Sequence, residues 1–246
     1  MDCTGLKSLP GLVDIHTHGC AGYDFDHADN AQLTEMSACY LRHGVTAVLA
    51  TLMTNPRALL LEAAAKIEGV EWLRALYMYP DELDEKTLDV MARYPNICKY
   101  LDLPLQHASP TLLKSMNRRG TMEHIRKMLR GARERGFCLR TTFIVGFPGE
   151  TEDDFKQLMD FTEEMQFDRM GAFTFSPEDD TPAFDMPGQI DEEIKEERLD
   201  QLMSLQARIS RSRNEMRIGK KEKLLVTGWQ SGTYTARSQW EAPDAD

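Results

Sequence analysis

Six short apolar runs alternate with helix-like segments along this chain, and this alternation limits the fold more than any other feature. The runs are "LVDIHT" (12–17), "TAVLAT" (46–51), "WLRALY" (72–77), "YLDLPL" (100–105), "RTTFIVG" (140–146) and "MGAFTF" (170–175). The segments between them carry helix punctuation. Asn30 precedes a helical pattern through Leu33, Met36 and Tyr40, stopped near Gly44. Asn55–Pro56 opens the next pattern and Gly69 ends it, and a third runs over 84–93. Ser109–Pro110 and Thr121 open two further helices, the second stopping at Gly136. Thr151 with Asp154 forms a capping-box-like start for a helix over 152–165. A helix between two strands returns the chain to the same end of a sheet, so the strands must run parallel. The pattern predicts an α/β fold, a six-unit (βα) partial TIM-like barrel. On the fourth strand Leu101, Leu103 and Leu105 alternate with Asp102, Pro104 and Gln106; on the sixth Phe173 and Phe175 alternate with Ala172 and Thr174. The apolar set is expected to pack on helices and the small or polar set to face the barrel axis.

Past the proline-rich "SPEDDTPAFDMPGQ", a charged helix is predicted from about 191 to 216, acidic first and basic last, as the helix dipole favours. Two short strand candidates follow, "KLLVTGW" and "TYTARSQW". The expected divisions are 1–66 for the first two strand–helix units and 67–190 for the other four. The long helix and a linker take 191–222, and a truncated β segment takes 223–246.

The 246 residues carry 40 acidic against 29 basic side chains, a net charge of −11. That balance speaks against broad nucleic-acid binding and suits a basic protein partner. Cys3, Cys20, Cys39, Cys98 and Cys138 are scattered, with no CxxC pair and no close cluster-binding triplet. Scattered cysteines, with no signal-like N-terminus and no membrane-length apolar stretch, predict a cytoplasmic protein.

Two regions carry candidate chemistry. Alternation puts Asp14, His16 and His18 on one face of the first strand, at the end where barrel enzymes place their sites. His16 and His18 are candidate ligands for a divalent metal such as zinc, or two hydrogen-bonded loop histidines. With His107 they form a candidate three-histidine site. In "RTTFIVG" one face carries Arg140, Thr142, Ile144 and Gly146, and "GFPGE" reads equally as a turn before a capped helix. Met116 and Met128 read as packing.

The stretches "LPGLVDIHTHGCAGYDF" and "LRHGVTAVLATLMTNP" resemble the N-terminal part of the N-acetylglucosamine-6-phosphate deacetylases of the amidohydrolase superfamily, over residues 9–60. That family's later motifs, "HxEGP" and the further metal histidines, do not follow. From residue 67 the chain resembles a different family. "EGVEWLRALYMYPDEL", "CKYLDLPLQHASPTLLKSMNRRGT", "LRTTFIVGFPGETEDDF" and "GAFTFSPEDDTPA" are similar to the radical-SAM methylthiotransferases, most of all to those acting on an aspartate of a small-subunit ribosomal protein. "LLVTGWQSGTYTARSQWEAPDAD" resembles the opening of that family's TRAM domain.

The second resemblance implies a radical-SAM type of barrel, S-adenosylmethionine and [4Fe–4S] as cofactors, and a small-subunit ribosomal protein as partner. It implies that Arg140 pairs with the methionyl carboxylate, Ile144 packs on adenine and Gly146 permits close backbone approach. Thr142 lies on the same face, Gln106, His107 and Arg118 face the pocket mouth, and Ser176 and Glu178 end the sixth strand beside it. Taken singly, Arg140 reads as an ion-paired or surface side chain and His107 as hydrogen-bonded structure. The family's CxxxCxxC motif is absent from this chain. The expectation is a hybrid joined within 56–69 that binds S-adenosylmethionine without cleaving it, the alternatives being a metal-dependent N-acetylglucosamine-6-phosphate deacetylase fragment and a non-catalytic hybrid.

Overall fold

The computed structural model describes residues 11–25, 27–50 and 56–242. The chain divides into two compact units, Met1–Gly69 and Val70–Asp246.

The smaller unit pairs strands β1 (Leu12–Thr17) and β4 (Val45–Ala50) in parallel. The short strands β2 (Gly19–Cys20) and β3 (Tyr23–Asp24) make a hairpin between them. Helix α1 (Asn30–Arg42) is capped by Asp29, one residue before the expected Asn30. The Asp29 carboxylate accepts from the Gln32 backbone N–H while the Gln32 side chain accepts from the Asp29 N–H. Helix α2 (Arg57–Ala65) starts after Pro56 without a side-chain cap and ends before the expected Gly69. Asn55 lies outside the described residues.

In the larger unit, helix α3 (Glu85–Arg93) is capped by Asp84, and strand β5 (Tyr100–Gln106) follows. Helices α4 (Pro110–Ser115) and α5 (Met122–Glu134) are capped by Ser109 and Thr121. Strand β6 (Cys138–Val145) leads into α6 (Glu152–Met165), whose Thr151–Asp154 capping box forms as the sequence predicts. Strand β7 (Arg169–Thr174) and the long helix α7 (Glu192–Glu215) complete the framework.

Strands β5, β6 and β7 form one parallel sheet in that order. The predicted strand 72–77 is not one. Only Leu73 bridges Ile97, through its N–H to Asn96 O and its C=O to the Cys98 N–H. The fold is thus α/β with separate parallel sheets of two and three strands among the described residues, not one traced six-strand barrel.

One face of the larger sheet is a dry core. Leu101, Leu103, Leu105, Leu139, Thr141, Phe143 and Val145 are all buried. Phe143 meets Phe161 of α6 and Phe167 edge-on, at 6.5 and 5.8 Å between ring centroids. Helix α5 buries Met122, Ile125, Met128 and Leu129, the i, i+3, i+6, i+7 stripe of a helix lying on a sheet.

The tail pairs β8 (Leu224–Gln230) with β9 (Thr233–Ser238) as an antiparallel hairpin whose Leu224, Leu225, Val226, Trp229 and Tyr234 are exposed. The chain then turns back into the core. Ala242 is buried with Cys98, Tyr100 and Cys138, flanked by Trp72, Leu76 and Trp240. Gln239 accepts from the Lys99 backbone N–H at 3.1 Å and from Arg74 at 2.7 Å. These residues close the N-terminal ends of β5 and β6. No helix among the described residues is long and apolar enough to cross a membrane.

Candidate cofactor-binding face

The opposite face of the β5–β6–β7 sheet holds the candidate residues. Paired residues in a parallel ladder share a face. Asp102 pairs with Arg140, Thr142 with Gly171, and Ile144 with Phe173. Phe173 is 62% exposed. This reverses the expectation that Phe173 packs on helices, because the register with Ile144 turns it to the open side. Its neighbours Ala172 and Thr174 pair with the buried Phe143 and Val145 instead. Ile144 is half-buried beside it. A Cβ added at Gly171 would meet only the Phe173 ring at 3.9 Å and Thr142 Oγ1 at 4.0 Å. Gly171 thus leaves its backbone uncovered by a side chain of its own between Thr142 and Phe173, with Ile144 on the same face, a shallow slot in outline. Its surfaces suit a flat, weakly polar ring.

At the N-terminal end of this face Arg140 is committed elsewhere. Its guanidinium lies 2.8 Å from Asp102 Oδ1 and donates to Thr142 Oγ1 at 3.3 Å. Asp102 also accepts from the Tyr77 N–H at 3.0 Å, holding Tyr77 at a φ of 56°. Of the two readings of Arg140, the ion-paired one is what forms.

The C-terminal end is a buried polar junction. Gly146 has a φ of 73°, and a Cβ there would stand 2.3 Å from Lys195 Cγ. The residue packed against this glycine is Lys195 of α7, where the resemblance implies close approach of a cofactor. Glu150 accepts from the Gly146 N–H at 2.7 Å and from Arg198 at 3.0 Å, and Arg198 also pairs with Glu152. Lys195 donates to Phe175 O at 3.0 Å and to Glu192 at 2.6 Å. "GFPGE" is therefore a turn whose glutamate ties its own first residue to α7.

His107 does not face a pocket mouth. It is 0% exposed, its Nδ1 accepts from the Ser109 N–H at 2.9 Å, and its Nε2 lies 3.6 Å from Glu150 Oε2. Ser109 in turn donates to Asp154 at 2.5 Å. Burial raises the Asp154 pKa, but hydrogen bonds from Ser109 and Thr151 outweigh it and hold the carboxyl below its ordinary value. Gln106 is half-buried with a φ of 72°. Ser176 and Glu178 are exposed and hydrogen-bonded to each other at 3.3 Å. Arg118 lines a separate cavity of about 200 Å³ beside Pro104 and Leu105. The structure therefore brings Thr142 and Ile144 together with Phe173. It assigns Arg140, His107 and Gly146 to internal contacts. The missed partners Asp102 and Glu150 are both acids on predicted strand or turn positions, and a search for countercharges to Arg140 would have found Asp102.

The metal and cluster expectations do not fit the side chains of the described residues. His16 and His18 are exposed and meet edge-on at 5.2 Å, and the His16 N–H donates to Asp14. Among the described residues no three His, Cys, Asp or Glu side chains converge as metal ligands. His107 is buried in its own contacts, so it offers no third imidazole. Cys98 and Cys138 lie in the apolar cluster with Tyr100, and burial pushes the Cys98 thiol up, opposite to the thiolate a cluster requires.

Comparison with known proteins matches residues from both units. Residues 42–162 match the Radical SAM superfamily. The chain is 49% identical over 190 residues to the ribosomal protein uS12 methylthiotransferase RimO of Clostridioides difficile, covering 76% of this chain and 43% of that protein. It is 47% identical over 192 residues to the RimO of Desulforamulus reducens, with the same coverage of both. The Geobacter sulfurreducens RimO is 46% identical over 192 residues, again at 76% and 43%. The chain thus spans less than half the length of these curated relatives. Escherichia coli coproporphyrinogen III oxidase, a radical SAM enzyme, superposes with a TM-score of 0.49 at 19% identity, covering 74% of this chain and 38% of that one. Residues 42–162 are therefore similar to the Radical SAM superfamily, and about three quarters of the chain is similar to part of the uS12 methylthiotransferases.

Proposed function

We propose that this chain holds the S-adenosylmethionine-binding part of a methylthiotransferase acting on an aspartate of a small-subunit ribosomal protein. On this reading it works in the cytoplasm and binds the nucleoside without cleaving it. The observation that carries the reading is the slot between Thr142, Ile144, Gly171 and Phe173. Its position on the open sheet face suits an adenine ring, which Ile144 and Phe173 would hold by apolar contact. The Arg140–Asp102 pair would keep that face rigid rather than bind the methionyl carboxylate. In the superfamily a [4Fe–4S] cluster supplies the reducing electron, and the cysteines among the described residues do not fit one, so no step is assigned through it. The first unit, with its deacetylase-like His16 and His18, reads as a separate origin joined within 56–69.

Equilibrium dialysis with radiolabelled S-adenosylmethionine tests the binding. Saturable binding is expected, weakened about tenfold or more by Ile144→Asp or Phe173→Asp. Equal binding by both variants would refute the slot. Anaerobic iron and sulfide reconstitution tests the second half. Stoichiometric four-iron loading with 5′-deoxyadenosine release would overturn binding without cleavage.

A further inference from the structure

The larger unit satisfies its half-buried charges with consistency. Arg126, Arg133, Arg135, Arg140, Arg169, Arg213 and Arg217 each meet a carboxylate. Arg74 and Arg237 donate to backbone carbonyls. Asp102, Asp154 and Asp168 all accept hydrogen bonds. Two half-buried side chains depart from this. Among the described residues, neither the Arg118 guanidinium nor the Asp81 carboxylate has an ion pair or a side-chain hydrogen bond. Both line the same cavity of about 200 Å³. They do not pair with each other across it. Leaving one partly desolvated charge without a partner is unfavourable, and leaving two of opposite sign on one cavity is more so.

The cavity is built, not incidental. Its floor is Leu105, Leu113 and Ile125, all buried. One wall is the turn Pro80–Glu82 and the other is the "NRRG" loop after α4. Asn117 at a φ of 54° and Gly120 at 95° bend that loop toward the turn, where a Cβ on Gly120 would come within 3.3 Å of Asp81 Cβ. Arg118 donates its backbone N–H to Leu113 O at 2.8 Å, which fixes the base of its side chain.

We propose that this cavity binds a small zwitterion of the α-amino-acid class. Its carboxylate would meet Arg118, its ammonium group Asp81, and an aliphatic side chain the Leu105–Leu113–Ile125 floor. A cavity of about 200 Å³ matches a ligand of amino-acid size better than a whole nucleoside, whose pockets run from roughly 300 Å³ upward. The site is separate from the Ile144–Phe173 slot, whose residues do not line it, so the proposal stands independently of the nucleoside reading.

Saturation-transfer NMR on the full chain with L-leucine, L-leucinamide and isocaproate tests it. L-Leucine is expected to bind saturably. The amide and the acid lack one charge each and should bind at least about tenfold more weakly. Arg118→Met and Asp81→Asn should each weaken L-leucine by a similar factor with an unchanged melting temperature. Equal binding of all three ligands, or binding untouched by both variants, overturns the proposal. So does an absence of saturable L-leucine binding. S-Adenosylmethionine is the second arm. If it binds and loses affinity through Arg118→Met while L-leucine does not bind at all, the cavity belongs to the nucleoside site and the proposal fails. Retained nucleoside binding in Arg118→Met with loss of L-leucine supports it.

Discussion

Glu241 is the strongest electrostatic anchor of the tail, and its contribution can be worked out. Burial alone would raise its pKa. Hydrogen bonds from the Ser238 hydroxyl, Arg217 and the Ser238 backbone N–H outweigh burial and lower it from 4.5 to about 2. Arg217 stands 2.7 Å away and Arg169 3.1 Å, and Ser238 donates both its N–H at 2.9 Å and its hydroxyl at 2.6 Å. At roughly 1.4 kcal/mol per pH unit the shift corresponds to an upper bound of ~3 kcal/mol. The carboxylate is 24% exposed and Arg217 also serves Glu222, so solvent and the competing acid reduce this to ~1–2 kcal/mol. The sign follows from the lowered folded pKa. The contribution is complete above the unfolded value of 4.5 and disappears as pH falls toward about 2. Urea unfolding followed by tryptophan fluorescence reads it, because Trp72 and Trp240 flank the cluster this tail closes. Glu241→Gln should lower the midpoint at pH 7 by an amount equivalent to ~1–2 kcal/mol and leave the slope unchanged. The difference between the two proteins should shrink steadily between pH 5 and pH 3. A variant as stable as the parent at pH 7, or a difference that does not change with pH, would refute the reasoning.

Three further outcomes follow from the same geometry. Asp102→Ala removes the carboxylate that pairs with the partly buried Arg140 and accepts from the Tyr77 N–H, and thermal melts should show a loss of up to ~3–5 kcal/mol, the range for breaking one side of a buried pair. Gly146→Ala places a methyl group 2.3 Å from Lys195 Cγ at a φ of 73°. It should destabilise by more than ~1 kcal/mol, and Lys195→Ala in the same chain should recover part of that loss; no recovery would exclude the clash as the cause. Cys98 and Cys138 are buried whereas Cys20 and Cys39 are half-exposed, so thiol titration should label the second pair fast and the first only on unfolding. Rapid modification of Cys98 in the folded protein would contradict the closed tail cluster.

What the sequence made legible is what nearest-neighbour chemistry decides. Thr151 and Asp154 lie three residues apart and cap α6 with no help from the rest of the chain; Asp84, Ser109 and Thr121 do the same for their helices, Ser109 and Thr121 at the expected positions. Strand register is different, because a slip of one residue exchanges the two faces. "MGAFTF" shows a period of two but not its phase. Only pairing with β6 sets Phe173 opposite Ile144 and out into the open. "WLRALY" has the composition of a strand, yet its neighbour hydrogen-bonds it only at Leu73. Gly146 was readable as a glycine that something approaches closely; that the approaching group is Lys195 depends on where α7 returns, 49 residues later in the chain. The tail is the extreme case. Gln239 satisfies the Lys99 N–H across 140 residues of sequence, and no local pattern announces that an exposed hairpin ends in a buried Ala242. The same distance separates site residues that could be named from those that could not. Ile144 and Arg118 are legible as candidates in the sequence, while the exposure of Phe173 and the place of Asp81 across a cavity from Arg118 acquire meaning only once β5, β6, β7 and the "NRRG" loop have been placed beside one another.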